Sequence, residues 1–235
     1  VLATDAAGNS AGATDSESYT VDTAAPTVSV VIADAALNVA DSSSLVTFTF
    51  SEAPVGFVEG DVTVVGGTLS GFTVTGDPLV YTATFTATAG LEGSGSVSVS
   101  AGSYTDTALN PGGAGGDTVA IDTAPPTPSI TLAANITADD IINAAEAGGL
   151  VAVTGTVTGA QNGDLVTLTV NGVDFTGTVS AGGFSINVAG SDLAADSTIA
   201  ASVLATDAAG NSASATDTES YTVDTAAPTV SVVIA

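Results

Sequence analysis

The chain has 235 residues, 25 Asp plus Glu, and no Lys, Arg or His, for a formal net charge of −25. Phosphate backbones and anionic membrane surfaces are both bound through Lys and Arg, so nucleic-acid and membrane-surface partners are excluded. Zero Cys excludes disulfides, zero Lys excludes Lys–Asn isopeptide staples, and no salt bridge can form between side chains.

Apolar residues make up 45 %, mostly Ala and Val, with aromatics at 5 %. That fills modest cores of roughly 100 residues each, not one large enzyme-like core. Nucleophilic catalysis lacks any His, Lys or Cys base, and zinc or iron sites lack nitrogen and sulfur ligands. The longest apolar runs, such as residues 28–33, are too short to span a membrane, so no membrane insertion is expected.

Taken in chain order, residues 1–33 open mid-pattern and recur almost letter for letter at 203–235, with only Gly12/Ser214 and Ser16/Thr218 differing. The repeating unit is therefore 202 residues long. Asp-Thr-Ala before proline appears at Asp22, Asp122 and Asp224, 100 and 102 residues apart, so the unit subdivides. The expected organisation is the C-terminal part of a preceding repeat at 1–25, repeat A at 26–125, repeat B at 126–228, and the first strand of the next repeat A at 229–235. The nearest partners would be neighbouring repeats of the same chain.

In repeat A, Leu45–Phe50 and Ser96–Ser100 alternate with period two and are rich in Val, Thr and Ser, as half-buried strands are. Gly66-Gly67 and Gly112-Gly113 break the pattern between strands. Thr123–Pro128 packs three prolines into six residues, which predicts a stiff, extended joint. In repeat B, Ala138–Gly148 reads as a loop or a single helical turn. Leu165–Val170, Asn171-Gly172 and Val173–Val179 predict a hairpin with a two-residue turn. Gly148-Gly149 and Gly182-Gly183 are further breaks, and Ser220–Val223 is another strand pattern. About seven short strands per hundred residues with turn signals between them predict an all-β fold, tandem Ig-like antiparallel β-sandwiches with short proline joints.

Only carboxylate chemistry remains. The Asp-Thr-Ala triplets bear a faint likeness to the paired aspartates of acid proteases, but their regular recurrence before proline favours a joint role. A glycosidase needs two facing carboxylates among aromatic platforms, and there is no Trp and only four Tyr. Clustered oxygen donors instead suit Ca2+, a hard cation that takes six to eight oxygens from irregular loops. One set groups Asp207, Asn211 and Asp224, with counterparts Asp5, Asn9 and Asp22, and Asp106, Asn110 and Asp122. An ordinary Asx turn is the competing reading. The second is Asp139, Asp140, Asn143 and Glu146, where an acidic cap on a short helical turn competes. The third is Asp34, Glu52 and Asp61, spread over loops, each of which could be a solvated acid.

The segments LTVNG, FTGTV, GGFSINVAGSDLAAD, ATDAAGN and ATDTESYTVDTAAP in residues 168–228 resemble the Ig-like extender repeats of giant RTX-type bacterial adhesins. VTFTFSEAPVGF, DVTVVGGTLS and SYTDTALNPG in residues 46–112 resemble a second Ig-like repeat type of the same proteins. The resemblance implies type I secretion, display on a Gram-negative cell surface, biofilm or surface adhesion through terminal domains elsewhere, and calcium at the domain joints. It implies ligand roles for the end-of-domain Asp and Asn, the Asp139–Glu146 loop and the joint Asp. Such repeats usually keep some Lys, and this chain has none. A non-catalytic, calcium-stiffened rod is the expectation. A subunit of an extracellular filament or sheath, with lateral self-association, is one alternative. The other is a glycan- or protein-binding module, which should cluster exposed aromatics such as Tyr104 on one face.

Overall fold

The computed structural model describes residues 1–233. At its start, β1 (Leu2–Thr4) and β2 (Ser10–Gly12) pair as a short antiparallel hairpin with every residue exposed. The same letters near the C-terminus form nine-residue strands, because there a third strand and a core support them. A lone two-stranded hairpin is marginal in water. Tyr19 shows the difference: it is 84 % exposed, while its sequence twin Tyr221 is 4 % exposed.

The first sandwich contains β3 (Val28–Ile32), β4 (Ala36–Asn38), β5 (Ser43–Phe50), β6 (Val62–Val65), β7 (Gly67–Val74), β8 (Val80–Ala87), β9 (Glu92–Val99) and β10 (Gly115–Asp122). One sheet runs β3-β5-β8-β7 and the other β4-β10-β9-β6, antiparallel except for the parallel β4–β10 pair. Alternation places Val28, Val30, Ile32, Val46, Phe48 and Phe50 inward, where they meet Phe85, Val97, Val99, Val119 and Ile121. Rings fill the middle: Phe57 lies 5.7 Å from Phe48 and 4.8 Å from Phe50, edge to face. Gly66, at φ +76, is the predicted break between strands. Gly67 serves packing, since a Cβ there would lie 2.6 Å from the Phe85 ring.

The second sandwich contains β11 (Ser129–Leu132), β12 (Ile141–Asn143), α1 (Ala144–Ala147), β13 (Leu150–Thr158), β14 (Leu165–Val170), β15 (Val173–Thr178), β16 (Gly183–Ala189), α2 (Gly190–Leu193), β17 (Thr198–Thr206), β18 (Ser212–Ser220) and β19 (Thr222–Asp224). Its sheets run β11-β13-β16 and β15-β14-β17-β18, with β12 and β19 paired in parallel beside them. The Asn171-Gly172 hairpin forms as expected, with φ of +51 and +73 at the two turn residues. Residues 138–148, read as a loop or single turn, divide into a strand that pairs with β19 and one helical turn. The core is aliphatic, built from Leu168, Val166, Ile142, Ile186, Val188, Leu193 and Ile199. Eight and nine strands replace the expected seven, because short edge strands such as β4 and β12 carry too few residues for a periodic signal.

Two acids unremarked in the sequence close the seam between sheets. Asp117 on β10 accepts the Ile32 N–H at 2.8 Å, and Asp217 on β18 accepts the Leu132 N–H at 2.8 Å. Each pins the first strand of its sandwich to the opposite sheet with a carboxylate–amide bond. Beyond residue 228, Thr229–Val233 form no strand and are exposed. The β3-like strand expected at 229–235 is thus not formed over 229–233. Its last residues, 234–235, lie outside the described ones.

Candidate metal centre and the joints

The Asp-Thr-Ala triplets are Asx turns. Asp22, Asp122 and Asp224 each accept, on Oδ1, the N–H two residues on, from Ala24 at 3.0 Å, Ala124 at 3.2 Å and Ala226 at 3.1 Å. That fixes the chain where each proline segment begins and leaves no facing pair of aspartates of the protease kind. Thr123 locks the second triplet to the first sandwich: its hydroxyl donates to the Thr88 carbonyl at 2.7 Å and accepts the Leu91 N–H at 3.0 Å.

The Asp-x-x-x-Asn loops form three copies of one device. Asp5, Asp106 and Asp207 each accept on Oδ1 the N–H of Asn9, Asn110 and Asn211, at 2.9 Å in every case. The matching Oδ2 accepts the Asn side-chain amide at 2.9, 2.8 and 2.9 Å. Burial alone would push the Asp106 and Asp207 carboxyls up. The Asn amides and the loop N–H groups outweigh it and hold both below their ordinary value of 3.8. At exposed Asp5 the Asn9 amide leads the same downward shift.

These loops do not meet the triplet of their own repeat. The 207–211 loop precedes β18, and Asp224 follows it, so nine residues of strand hold them about 30 Å apart. The 106–110 and 207–211 loops instead reach the triplet one joint upstream. The Asn110 amide donates to the Asp22 carbonyl at 3.1 Å, and the Asn211 amide to the Asp122 carbonyl at 2.9 Å. The groupings Asp207–Asn211–Asp224 and Asp106–Asn110–Asp122 are thus shifted by one joint, because antiparallel strands send loop and triplet to opposite ends, while Asp5 and Asn9 bond within their own loop. Asp224 instead stands beside Asn143 across the β12–β19 pair.

At the upstream joint three carboxylates converge. Asp22 on the joint, Glu52 just past β5 and Asp106 on its loop offer oxygens that all lie within 4.8 Å of one another. Among the described residues this is the only such group of three. Asp106 is 1 % exposed. An oxygen-only set of three anions in a chain without cationic side chains fits Ca2+, whose ligand oxygens at 2.3–2.6 Å from the ion stand at most about 5 Å from each other.

The remaining candidates do not converge in this way. Asp34 accepts the Ser44 hydroxyl at 2.7 Å beside the start of β5, while Glu52 follows its end, about 25 Å away. Asp61 accepts the Val58 N–H at 2.9 Å. The third predicted cluster is therefore dispersed, and Glu52 joins the first. In the second cluster, Asp139 accepts from Ile141 N and Asp140 from Ile136 N. Asn143 caps α1, accepting from Ala145 and Glu146, while Glu146 reaches back to the Asn143 N–H in a capping box. Asp5 and Asn9 lie on the exposed hairpin.

Tyr104, offered in the sequence as an exposed binding aromatic, is 1 % exposed. Its hydroxyl donates toward the Pro26 and Gly113 carbonyls at 3.2 and 3.1 Å, bolting the joint to the core. Burial pushes its pKa up. Burial, and then the Asp196 charge, push Tyr221 up to about 12. A raised tyrosine stabilises the fold below pH 10 and stops doing so as pH climbs from 10 to 12. The lowered aspartates act from the other side, losing their contribution as pH falls below about 4. Melting temperature should therefore fall at both extremes, and Tyr221→Phe should flatten only the alkaline limb.

No curated protein matches the chain. The bacterial Ig-like domain family matches residues 22–123. A structure from work on host-cell-surface retention of a 1.5-MDa bacterial ice-binding adhesin is 34 % identical, with a TM-score of 0.57, over 96 % of this chain and 73 % of that one. The chain belongs to the bacterial Ig-like domain family. A Ca2+-stabilized adhesin that helps an Antarctic bacterium reach out and bind ice is 35 % identical, with a TM-score of 0.63, over 95 % of this chain. The present chain spans just over half of that structure, 55 %. A single Ig-like domain of the M. primoryensis ice-binding adhesin is 48 % identical over 43 % of this chain and 98 % of its own, with a TM-score of 0.39. Ig-like domains of this adhesin kind are structural, not catalytic. Among the described residues no helix is long and apolar enough to cross a membrane.

Proposed function

We propose that this chain is an extender segment of a very large secreted bacterial adhesin, a rod of tandem Ig-like repeats stiffened by calcium that carries terminal adhesive domains away from the cell. The repeats are bounded as 1–25, 26–125, 126–228 and 229–235, in line with two separate cores at 28–121 and 130–221. The observation that carries the reading is the Asp22, Glu52 and Asp106 group, which spans a joint and the sandwich after it.

An ion there is held by the joint through Asp22 and by the sandwich through Glu52 and Asp106, so binding removes the freedom between them. Without it, three anions face one another in partly dry surroundings and push the joint open. A chain of −25 charge that loosens at low calcium suits export through a type I channel, with stiffening outside on a Gram-negative surface. The likeness to a Ca2+-stabilized adhesin supports the choice of ion. Small-angle scattering with calcium and with EDTA, on an array that carries a whole sandwich before residue 22, tests it: the maximum dimension should grow in calcium, and an unchanged dimension would remove the reading.

A further inference from the structure

We infer that the joint between the two sandwiches is set by side-chain amides, with Asn211 as its latch, and so keeps its angle when cations are withdrawn. The inference goes beyond the calcium reading and stands on different contacts.

Asn211 is 3 % exposed although it sits on an end loop. Its Nδ2 donates to the Asp122 carbonyl and the Asp207 carboxylate, both at 2.9 Å, and lies 3.3 Å from Asp122 Oδ1. Its Oδ1 accepts the Val39 N–H at 2.7 Å. From the other side, Asn38 Nδ2 donates to the Ala209 carbonyl at 2.8 Å. Asn38 is aimed by its own turn, accepting on Oδ1 the N–H groups of Ala40 at 3.0 Å and Asp41 at 2.8 Å. Asn38 and Asp122 are neighbours across the β4–β10 pair, so both contacts rise from one sheet rim. Donors and acceptors thus cross the boundary in both directions, which fixes rotation as well as distance.

Strand register shows why a metal has less to hold here. Ser29 stands opposite Thr49, and Ser129 opposite Thr158. Three residues on from those partners are Glu52 in the first sandwich and Gln161 in the second. The third carboxylate of the upstream joint is therefore a neutral amide at this one, donating to the Thr206 carbonyl at 3.4 Å. Fewer anionic oxygens weaken calcium binding. The 202-residue unit alternates a carboxylate joint with an amide joint.

The test is the alignment of each sandwich, from residual dipolar couplings on the whole 235-residue chain in EDTA. Wild type should give one alignment tensor for both sandwiches. Asn211→Ala should split it into two while both remain folded. Asn38→Asp, which keeps the turn-forming acceptor, removes the donor and sets a carboxylate against the Ala209 carbonyl, should split it too, and decides the matter should Asn211→Ala fail to fold. Two tensors in wild type, or one tensor in Asn38→Asp, would overturn the latch. The calcium reading fails on another observation, an upstream joint indifferent to calcium.

Discussion

Withdrawing calcium should lower the melting temperature of the first sandwich by roughly 10–20 °C and move the second far less. A site filled to about 100 times its dissociation constant adds about 2.7 kcal/mol to the folded state. For a domain of about 100 residues each kcal/mol is worth roughly 4–8 °C. The full linkage applies because the ligands come from three distant segments, at residues 22, 52 and 106, which the unfolded chain cannot assemble. Glu52→Gln removes one anion and reproduces what Gln161 already supplies in the second sandwich. It should abolish most of the calcium-dependent shift while leaving the melt in EDTA unchanged or slightly raised, since like charges no longer face each other. Calorimetry reads both. Equal melting temperatures with and without EDTA would dispose of the site, as would a full calcium shift in Glu52→Gln.

The second large effect is expected from Phe48→Ala. Phe48 is fully buried, with ring centroids 5.7 Å from Phe57 and 5.9 Å from Phe72. Truncating a buried phenylalanine costs about 3–5 kcal/mol, because neighbouring rings cannot collapse fully into the space. Against a total of about 5–15 kcal/mol, that brings the first sandwich close to unfolding at room temperature. The second core shares none of these residues, so its transition should stay in place. Near-ultraviolet circular dichroism separates the two, since most aromatic side chains lie in the first. A single transition moved as a whole would mean the sandwiches melt as one unit.

Much of the fold was legible because it is local. The Asn171-Gly172 turn, the alternation at 45–50 and the 202-residue self-match each need only neighbouring letters or a self-comparison. The site was legible in residue type and misread in assembly. Asp106, Asn110 and Asp22 all stand out in the sequence. That Asp106 meets Asp22 and not Asp122 depends on which end of the sandwich each occupies, a property of strand direction. Glu52 was placed with Asp34 and Asp61 for the same reason. Gln161 and Asn38 gave no signal, since their meaning comes from strand register and from a partner 171 residues away. Asp117 and Asp217 carry no signal in the sequence, since only the meeting of two sheets shows the backbone N–H that each receives.

The joints at Asp22 and Asp122 are each clasped by a loop from the sandwich that follows, 88 and 89 residues further along the chain. The array therefore has a sense of time as well as direction. A chain emerging N-terminus first leaves every joint open until nearly a whole further sandwich has appeared and folded. One emerging C-terminus first presents each triplet to a loop already in place, and the joint closes as it clears the exit. Were the proposed rod exported in that order, it would set one segment at a time behind its leading end, and folding itself would keep the chain from slipping back.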